Sequence, residues 1–525
     1  MLALASWQPR FKSSYPETVF TVKAQKFSEL LEHLSWLEST MAKAPAPPSD
    51  LLNLVNTYKM ANIHLLELTM SETQDIVRLL KDEQITASLR PYLEQLRVKI
   101  DDVVMAYDGA LAKAISSDFK AYTNFQRLNI QTLRNLIQAG SPRKERVWII
   151  ILDGMRLDSW DRFIWPKLRE TFDLDGEAQL YLATLPSHTD ISRVSLLAGK
   201  LPPFWKDYYN QPTSDHSILL SRYLSLGKDE SKKKLKIVAR VEEKVEQGEL
   251  EFEDAQYRVM IFNISDDWIH HEYGSLVRVN EAITSKFEKM VLSELPDKIK
   301  AGDIVLITSD HGFIELRKKF SHKIEESQLG PGMNMDSISY RYIQNGKDDR
   351  RIRITYDNKN SWIMAQGYEW FERPKQSGKV ARFSHGGISM AEMVVPAVRL
   401  RMRKEKKVEL MWTIETPAEC CSGDAVKLPI YLTNQGTVDT NVFLSCRVAG
   451  RLIAEDTLIL PAGASHKWVV SVNADPKANQ VSISAQYTLP NKEKKIEKRQ
   501  VSIPIKERGG RVEIDTSALD VFEDS

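Results

Sequence analysis

Residues 183–199 read ATLPSHTDISRVSLLAG and carry five side-chain hydroxyls, those of Thr184, Ser187, Thr189, Ser192 and Ser195. A hydroxyl in such a stretch is a candidate nucleophile once a neighbouring group lowers its pKa or takes its proton. Four distant stretches offer such groups. IVLITSDHGF sets Asp310 and His311 side by side past an apolar run, with Gly312 suited to a tight turn. WIIILDGM ends its apolar run in Asp153, and RFSHGGISM places His385 before two glycines. In FNISDDWIHHEYG, Asp266 and His270 are four apart and share one face of a helical turn. Asp267 and His271 have the same spacing, so the register of that pair is open by one. The set supplies three carboxylates and three imidazoles. That is enough to give two divalent ions three protein ligands each, with open positions for a nucleophile and a substrate oxygen. Carboxylate and imidazole donors suit zinc or manganese. Any one of these residues alone is as well explained by a helix cap or a satisfied core histidine, so the ordered set carries the argument.

The elements that must hold these residues follow from hydrophobic periodicity. RVWIIILDG, QLYLATLP, YRVMIFNIS and DIVLITSDHGF are strand-like runs separated by amphipathic stretches such as VNEAITSKFEKMVLSELPDKI. Alternation of this kind predicts an α/β fold with a mostly parallel, doubly wound sheet, whose ligands gather at the carboxyl ends of the strands. Residues 1–145 read as all-α, with apolar residues at helical spacing, little glycine and a break at APAPPSD (44–50), where Ser49 or Asp50 is the expected N-cap. That region carries no catalytic signal and reads as a bundle for packing or docking. From 406 to 508 six or seven short alternating runs separated by NQGT, PAGA and ADPKAN predict an immunoglobulin-like β-sandwich, followed by an acidic tail over 509–525. The catalytic domain is expected over 146–405.

The bulk composition narrows the class. The chain has 525 residues, 72 Lys+Arg against 71 Asp+Glu, and a formal charge of +1, so any attraction to polyanions must be local. Three cysteines with no repeating spacing do not make a disulfide framework and fit a reducing, cytoplasmic setting. No run reaches the ~18 apolar residues of a membrane span, and the first residues are too short an apolar run for a signal peptide, so no membrane partner is expected.

The ordered set resembles the alkaline phosphatase superfamily: a first strand ending in Asp, a Ser/Thr nucleophile, Asp-x-x-x-His, Asp-His-Gly and a late His. More narrowly, LPSHTDISRVSLLAG, TSDHGF and FSHGGISMAEMVVPAV are similar to the PglZ domain, found in bacterial BREX phage-defence systems and in some response regulators. The resemblance covers about residues 146–400. It implies one metal held by Asp153, Asp310, His311 and the nucleophile's oxygen, and a second held by Asp266, His270 and His385. It also implies that the attacking group follows P-x-x about ten residues before a glycine, which fits Thr189 and Gly199; Ser187 and Thr184 are the next candidates. Arg193, four residues on, is then placed to hold a non-bridging phosphate oxygen. The implied activity is a metal-dependent phosphodiesterase or phosphatase using two divalent ions, zinc or manganese. The stretch lacks the Cys/Ser-x-Pro-x-Arg element of a sulfatase, and no large cap domain of a phosphomutase is visible. Between Phe313 and Arg382 an insertion carries Lys318, Lys319, Lys323, Arg341, Arg350, Arg351 and Arg353 with Tyr340 and Tyr342. These are read either as a solvated rim or as a channel for a nucleotide or oligonucleotide phosphodiester. The alternative to an enzyme is a scaffold that assembles with other components of a defence or signalling complex through its flanking domains.

Overall fold

The computed structural model describes residues 17–138, 145–202, 216–239, 241–247, 250–252, 254–263, 274–300, 302–325, 338–347, 351–357, 360–372, 381–403, 407–490 and 493–507. Asp266, Asp267, His270, His271, Arg350 and the acidic tail lie outside the described residues. The chain divides into two units, Met1–Met402 and Arg403–Ser525.

The first unit begins with helices α1 (Glu17–Ala42), α2 (Leu51–Met60), α3 (Leu66–Leu80) and α4 (Glu83–Ser117). The prolines between Ala44 and Asp50 cannot donate to a helix, so α1 ends there. Asp50 then starts α2 as its N-cap, accepting from the Asn53 N–H at 2.9 Å. Along α4, Leu89, Leu93, Leu96, Ile100, Val104, Tyr107 and Leu111 recur every three or four residues and form its buried stripe.

A mixed sheet follows, built from β1 (Val147–Leu152), β2 (Phe172–Leu174), β3 (Gln179–Leu182), β4 (Leu235–Ala239), β5 (Tyr257–Phe262), β6 (Ile304–Ser309) and β7 (Val394–Met402). Their order is β2–β7–β6–β1–β5–β4, with β3 also paired to β7. The expected parallel pairing holds for β4, β5, β1 and β6. It stops at β7, which runs antiparallel to β6, β3 and β2. β1 and β6 are buried along their whole length, which is why both read as unbroken apolar runs. Their register sets Leu152 level with Phe262 and Ser309, so the residues after these strands emerge at one edge of the sheet.

The helical region packs against the sheet. Phe27, Leu96 and Tyr107 share one apolar cluster with Trp148, Ile150 and Leu152 of β1 and Val398 of β7. On the other face, Ile149 and Ile151 meet α5 (Thr132–Gln138) and α6 (Thr189–Ala198) through Leu133, Leu136, Leu196 and Leu197.

The second unit is all-β. Strands β8 (Leu410–Ile414), β9 (Ala425–Asn434) and β12 (Ser465–Asn473) form one antiparallel sheet. Strands β11 (Arg451–Leu460), β10 (Thr440–Val448), β13 (Gln480–Thr488) and β14 (Lys494–Ser502) form another. Alternate residues of both, such as Leu428, Ile430, Leu444 and Ile483, enter a single apolar cluster. Cys420, Cys421 and Cys446 are all free thiols. Among the described residues no helix is long and apolar enough to cross a membrane.

Candidate metal centre

Asp153 directly follows β1, and Asp310 and His311 directly follow β6; all three are buried, and their donor atoms lie within 4.8 Å of one another. Asp310 Oδ1 accepts the Gly154 N–H at 3.1 Å and the His311 N–H at 3.0 Å, which ties the two strand ends together. Burial by itself would raise the Asp310 pKa. His311, the Arg193 guanidinium and the Gly154 N–H outweigh it and hold the carboxyl below its ordinary value. His311 Nδ1 lies 2.9 Å from the Gly312 carbonyl. A carbonyl can only accept, so Nδ1 carries a proton and Nε2 is the ring atom that faces Asp153 and Thr189.

The five hydroxyls of 183–199 now separate. Thr184 Oγ1 donates to Asn129 Oδ1, Ser187 Oγ to the Gly387 carbonyl and Ser192 Oγ to the Asp310 carbonyl. These three and Ser195 are fully buried. Thr189 alone of the five is half-exposed. Its Oγ1 sits 3.0 Å from His311 Nε2 and 3.4 Å from Asp153 Oδ1, at the first residue of α6, where backbone N–H groups and the helix dipole favour an anion.

The donor set suits a tetrahedral divalent ion. Bonds of about 2.0–2.1 Å place tetrahedral ligand atoms about 3.3–3.4 Å apart. The observed separations are Thr189 Oγ1 to Asp153 Oδ1 3.4 Å, Thr189 Oγ1 to His311 Nε2 3.0 Å, His311 Nε2 to Asp153 Oδ1 3.5 Å and His311 Nε2 to Asp310 Oδ1 3.9 Å. Charge points the same way, because two buried carboxylates face one guanidinium. That guanidinium is Arg193, paired with Asp153 Oδ2 and, through Nε at 2.8 Å, with Asp310 Oδ2. Burial would lower the Arg193 pKa; the two carboxylates reverse this and raise it. Arg193, expected against a phosphate oxygen, here holds the two carboxylates, both of which are within reach.

His385 joins the group as a ring, stacked on His311 at 4.3 Å between centroids and 16° between planes. Asp266 and His270, and the alternatives Asp267 and His271, lie outside the described residues. Beyond His385 a third imidazole, His188, lies tilted at 31° with its centroid 4.8 Å away, and its Nδ1 accepts the Asp190 N–H at the start of α6. No spacing in the sequence links His188 to the other two; three separate loops bring the rings together.

Glycine enters here for two different reasons. At Gly312 the need is close approach rather than a turn, since a Cβ would lie 2.1 Å from the Ala391 carbonyl oxygen. Gly386 has φ +120°, which L side chains rarely adopt, and a Cβ there would also meet the Tyr342 ring.

The basic insertion is corrected at Arg341. Its guanidinium is fully buried, bonding Glu392 at 2.9 and 2.5 Å and the Gly367 carbonyl at 2.8 Å, with the Glu369 carbonyl as a further acceptor. Glu392 in turn accepts the Gly387 N–H at 2.9 Å, so Arg341 supports the His385 loop from beneath. Lys319 pairs with Asp101, and Arg351 lies over the Phe371 ring. Lys318, Lys323 and Arg353 remain exposed. Composition alone could not separate the guanidinium that a Glu had claimed from those facing water.

Comparison with known proteins adds the following. The family model described as "BREX system PglZ alkaline phosphatase-like domain" matches residues 130–400. The "Alkaline phosphatase-like protein PglZ" of Bacillus cereus is 23% identical over 360 residues, 64% of this chain and 39% of that protein. The match thus spans about two fifths of that relative's length. Among solved structures, murine ectonucleotide pyrophosphatase/phosphodiesterase 5, an inactive form in complex with AMP, aligns with TM-score 0.32 and 10% identity over 49% of this chain and 88% of that one. The human protein of the same name aligns with TM-score 0.33 and 11% identity, over 49% and 87%.

Proposed function

The chain belongs to the PglZ family, with an alkaline phosphatase-like α/β body, and from that premise we propose that it is a metal-dependent hydrolase of phosphoric esters with Thr189 as nucleophile. The observation that carries this reading is the position of the Thr189 hydroxyl: half-exposed, at a helix N-terminus, and within 3.0–3.4 Å of His311 and Asp153 in a buried Asp–Asp–His group. Asp153, Asp310 and His311 would hold one divalent ion, zinc or manganese; Asp266, His270 and His385 are the proposed ligands of a second. Bound there, such ions would lower the pKa of the threonine hydroxyl and neutralise charge on the phosphoryl group.

The residues of the chain do the rest. Thr189 Oγ attacks phosphorus, the bond to the leaving ester oxygen breaks, and the proton lost by Thr189 ends on the departing alcohol. Water then attacks the phosphothreonine and restores the hydroxyl. The first N–H groups of α6 accommodate the phosphoryl oxygens, and Arg193 keeps both carboxylates aimed at the centre. The proposed substrates are phosphodiesters of nucleotides or oligonucleotides, with the exposed Lys318, Lys323 and Arg353 as basic groups that would meet a polyanion. The setting proposed is a BREX-type phage-defence complex. In the same reading the second unit is an immunoglobulin-like sandwich that docks partners.

The test is hydrolysis of bis-p-nitrophenyl phosphate and of p-nitrophenyl phosphate with added zinc or manganese, by wild type and by Thr189→Ala. Diesterase activity that falls about 10³-fold or more in Thr189→Ala supports the reading. Activity that survives the substitution moves the nucleophile elsewhere. An inactive, metal-loaded wild type would favour the scaffold, in which the same folded centre serves assembly.

A further inference from the structure

Asn129 belongs to the helical region, just before α5, and its side chain is fully buried between β3 and α6. Its Nδ2 donates to the Ser192 carbonyl at 3.1 Å and to Ser192 Oγ at 2.7 Å, and its Oδ1 accepts from Thr184 Oγ1 at 2.5 Å. Ser192 Oγ continues the chain to the Asp310 carbonyl at 2.6 Å. Thr184, Ser192 and Asp310 are as completely buried as Asn129.

Two carbonyls fix every proton in this chain. The Ser192 carbonyl can only accept, so the amide nitrogen of Asn129 faces α6 and its oxygen faces Thr184. Thr184 must then donate. Ser192 Oγ already accepts from Nδ2, and the Asp310 carbonyl can only accept, so the Ser192 proton goes to Asp310. The order Thr184, Asn129, Ser192, Asp310 therefore has one direction of donation.

Its last two members matter for the centre. Ser192 lies one turn beyond Thr189 on α6 and next to Arg193, while Asp310 carries a carboxylate of the Asp–Asp–His group. We infer that Asn129 is a positioning residue: through Ser192 it sets the register of the helix bearing Thr189 and Arg193 against the strand end bearing Asp310 and His311. Two of the four buried hydroxyls, those of Thr184 and Ser192, are the links of that relay. The helical region thereby becomes a working part of the centre.

This inference rests on the metal-hydrolase reading, and its test separates the two. Zinc affinity, by competition with a chromophoric chelator, and kcat and KM for bis-p-nitrophenyl phosphate are measured for the whole chain and its variants. Asn129→Asp is nearly isosteric but offers acceptors where Nδ2 donated, which draws the Ser192 proton away from Asp310. Ser192→Ala removes one link with little change in volume, Thr184→Val removes the first donor, and Thr184→Ser keeps it.

The expected result is a 10–100-fold loss in zinc affinity or kcat for Asn129→Asp, Ser192→Ala and Thr184→Val, with KM little changed. Thr184→Ser should stay near wild type, and Ser192→Ala should cost little further in an Asn129→Asp background. If folded Ser192→Ala and Thr184→Val match wild type in zinc affinity and kcat, the inference falls while the hydrolase reading stands. If they lose only thermal stability, Asn129 is structural and the inference is again overturned. A wild type that neither binds zinc nor hydrolyses either ester overturns both.

Discussion

Thr189 and its four neighbouring hydroxyls show how much a single residue's surroundings decide. All five have the same functional group, yet four are buried and only Thr189 combines solvent access with contacts to His311 and Asp153. Arg193 shows the same at the level of charge. Replacing it as Arg193→Gln leaves Asp153 and Asp310 facing each other without a counter-charge, a change that costs about 3–5 kcal/mol where a buried pair is broken. A divalent ion restores that charge. Added zinc should therefore raise the melting temperature of Arg193→Gln by more than it raises that of wild type, read by calorimetry. Equal shifts in the two proteins would mean that zinc binds away from these carboxylates.

At the scale of elements, the centre depends on how closely the loops after β6 and before β7 approach. Gly312 lies directly on the 391–392 backbone, with the Ala391 carbonyl where a Cβ would be and its own N–H donating to the Glu392 carbonyl at 2.7 Å. Gly312→Ala forces one of these segments to move, and overpacking of this kind costs about 1–3 kcal/mol. Its denaturant midpoint should fall, and its zinc affinity should fall with it, because the displaced segment carries His311. Arg341→Met probes the other loop. It removes the partner of the buried Glu392 carboxylate, which also holds the Gly387 N–H, so the His385 loop should lose protection in amide hydrogen exchange while the second unit is unchanged.

At the scale of the molecule, helices and sheet are joined by buried charge. Glu67 of α3 bonds Arg156, Arg317 and the Tyr368 hydroxyl, and Arg156 also holds the Phe313 carbonyl just past His311. Burial would raise the Glu67 pKa, but Arg156 and Arg317 bring it down to about 2 from 4.5. A depressed carboxyl gives stability that is present above its unfolded value and lost as pH falls through the folded one. Stability should thus fall between about pH 4.5 and 2 by roughly 3 kcal/mol from this group, and Glu67→Gln should flatten that limb in urea titrations. Asp108 has the opposite sign. Burial, helped by Glu67 and Glu392, pushes it up to about 8 against the Met390 N–H that it accepts. The folded state then binds the extra proton between about pH 4 and 8, so stability from this group declines as pH rises through that window. Asp108→Asn keeps the acceptor for Met390 and should abolish this decline. A variant that keeps the full slope would place the titration elsewhere.

The sequence by itself determined the parts that depend on local order. The apolar runs of β1 and β6 mark buried strands because both faces are covered, and Asp153 and Asp310–His311 follow them directly. The Asp50 cap was legible because the helix start needs a side-chain acceptor close by in sequence. Alternating strands after 406 announced the all-β unit for a similar reason. Tertiary structure alone decided what depends on contacts between distant residues. Arg341 and Lys318 look alike as basic residues, and only the fold gives one of them Glu392. Thr184 and Thr189 look alike as hydroxyls on paper, and only the fold gives the first of them a buried partner in Asn129, 55 residues before it. The helices before 139 read only as a bundle for packing or docking, because their own periodicity says nothing about the sheet that fills their apolar stripe. Periodicity records which face of an element is buried; which partner buries it, and which polar groups that partner satisfies, is settled only when the chain closes on itself.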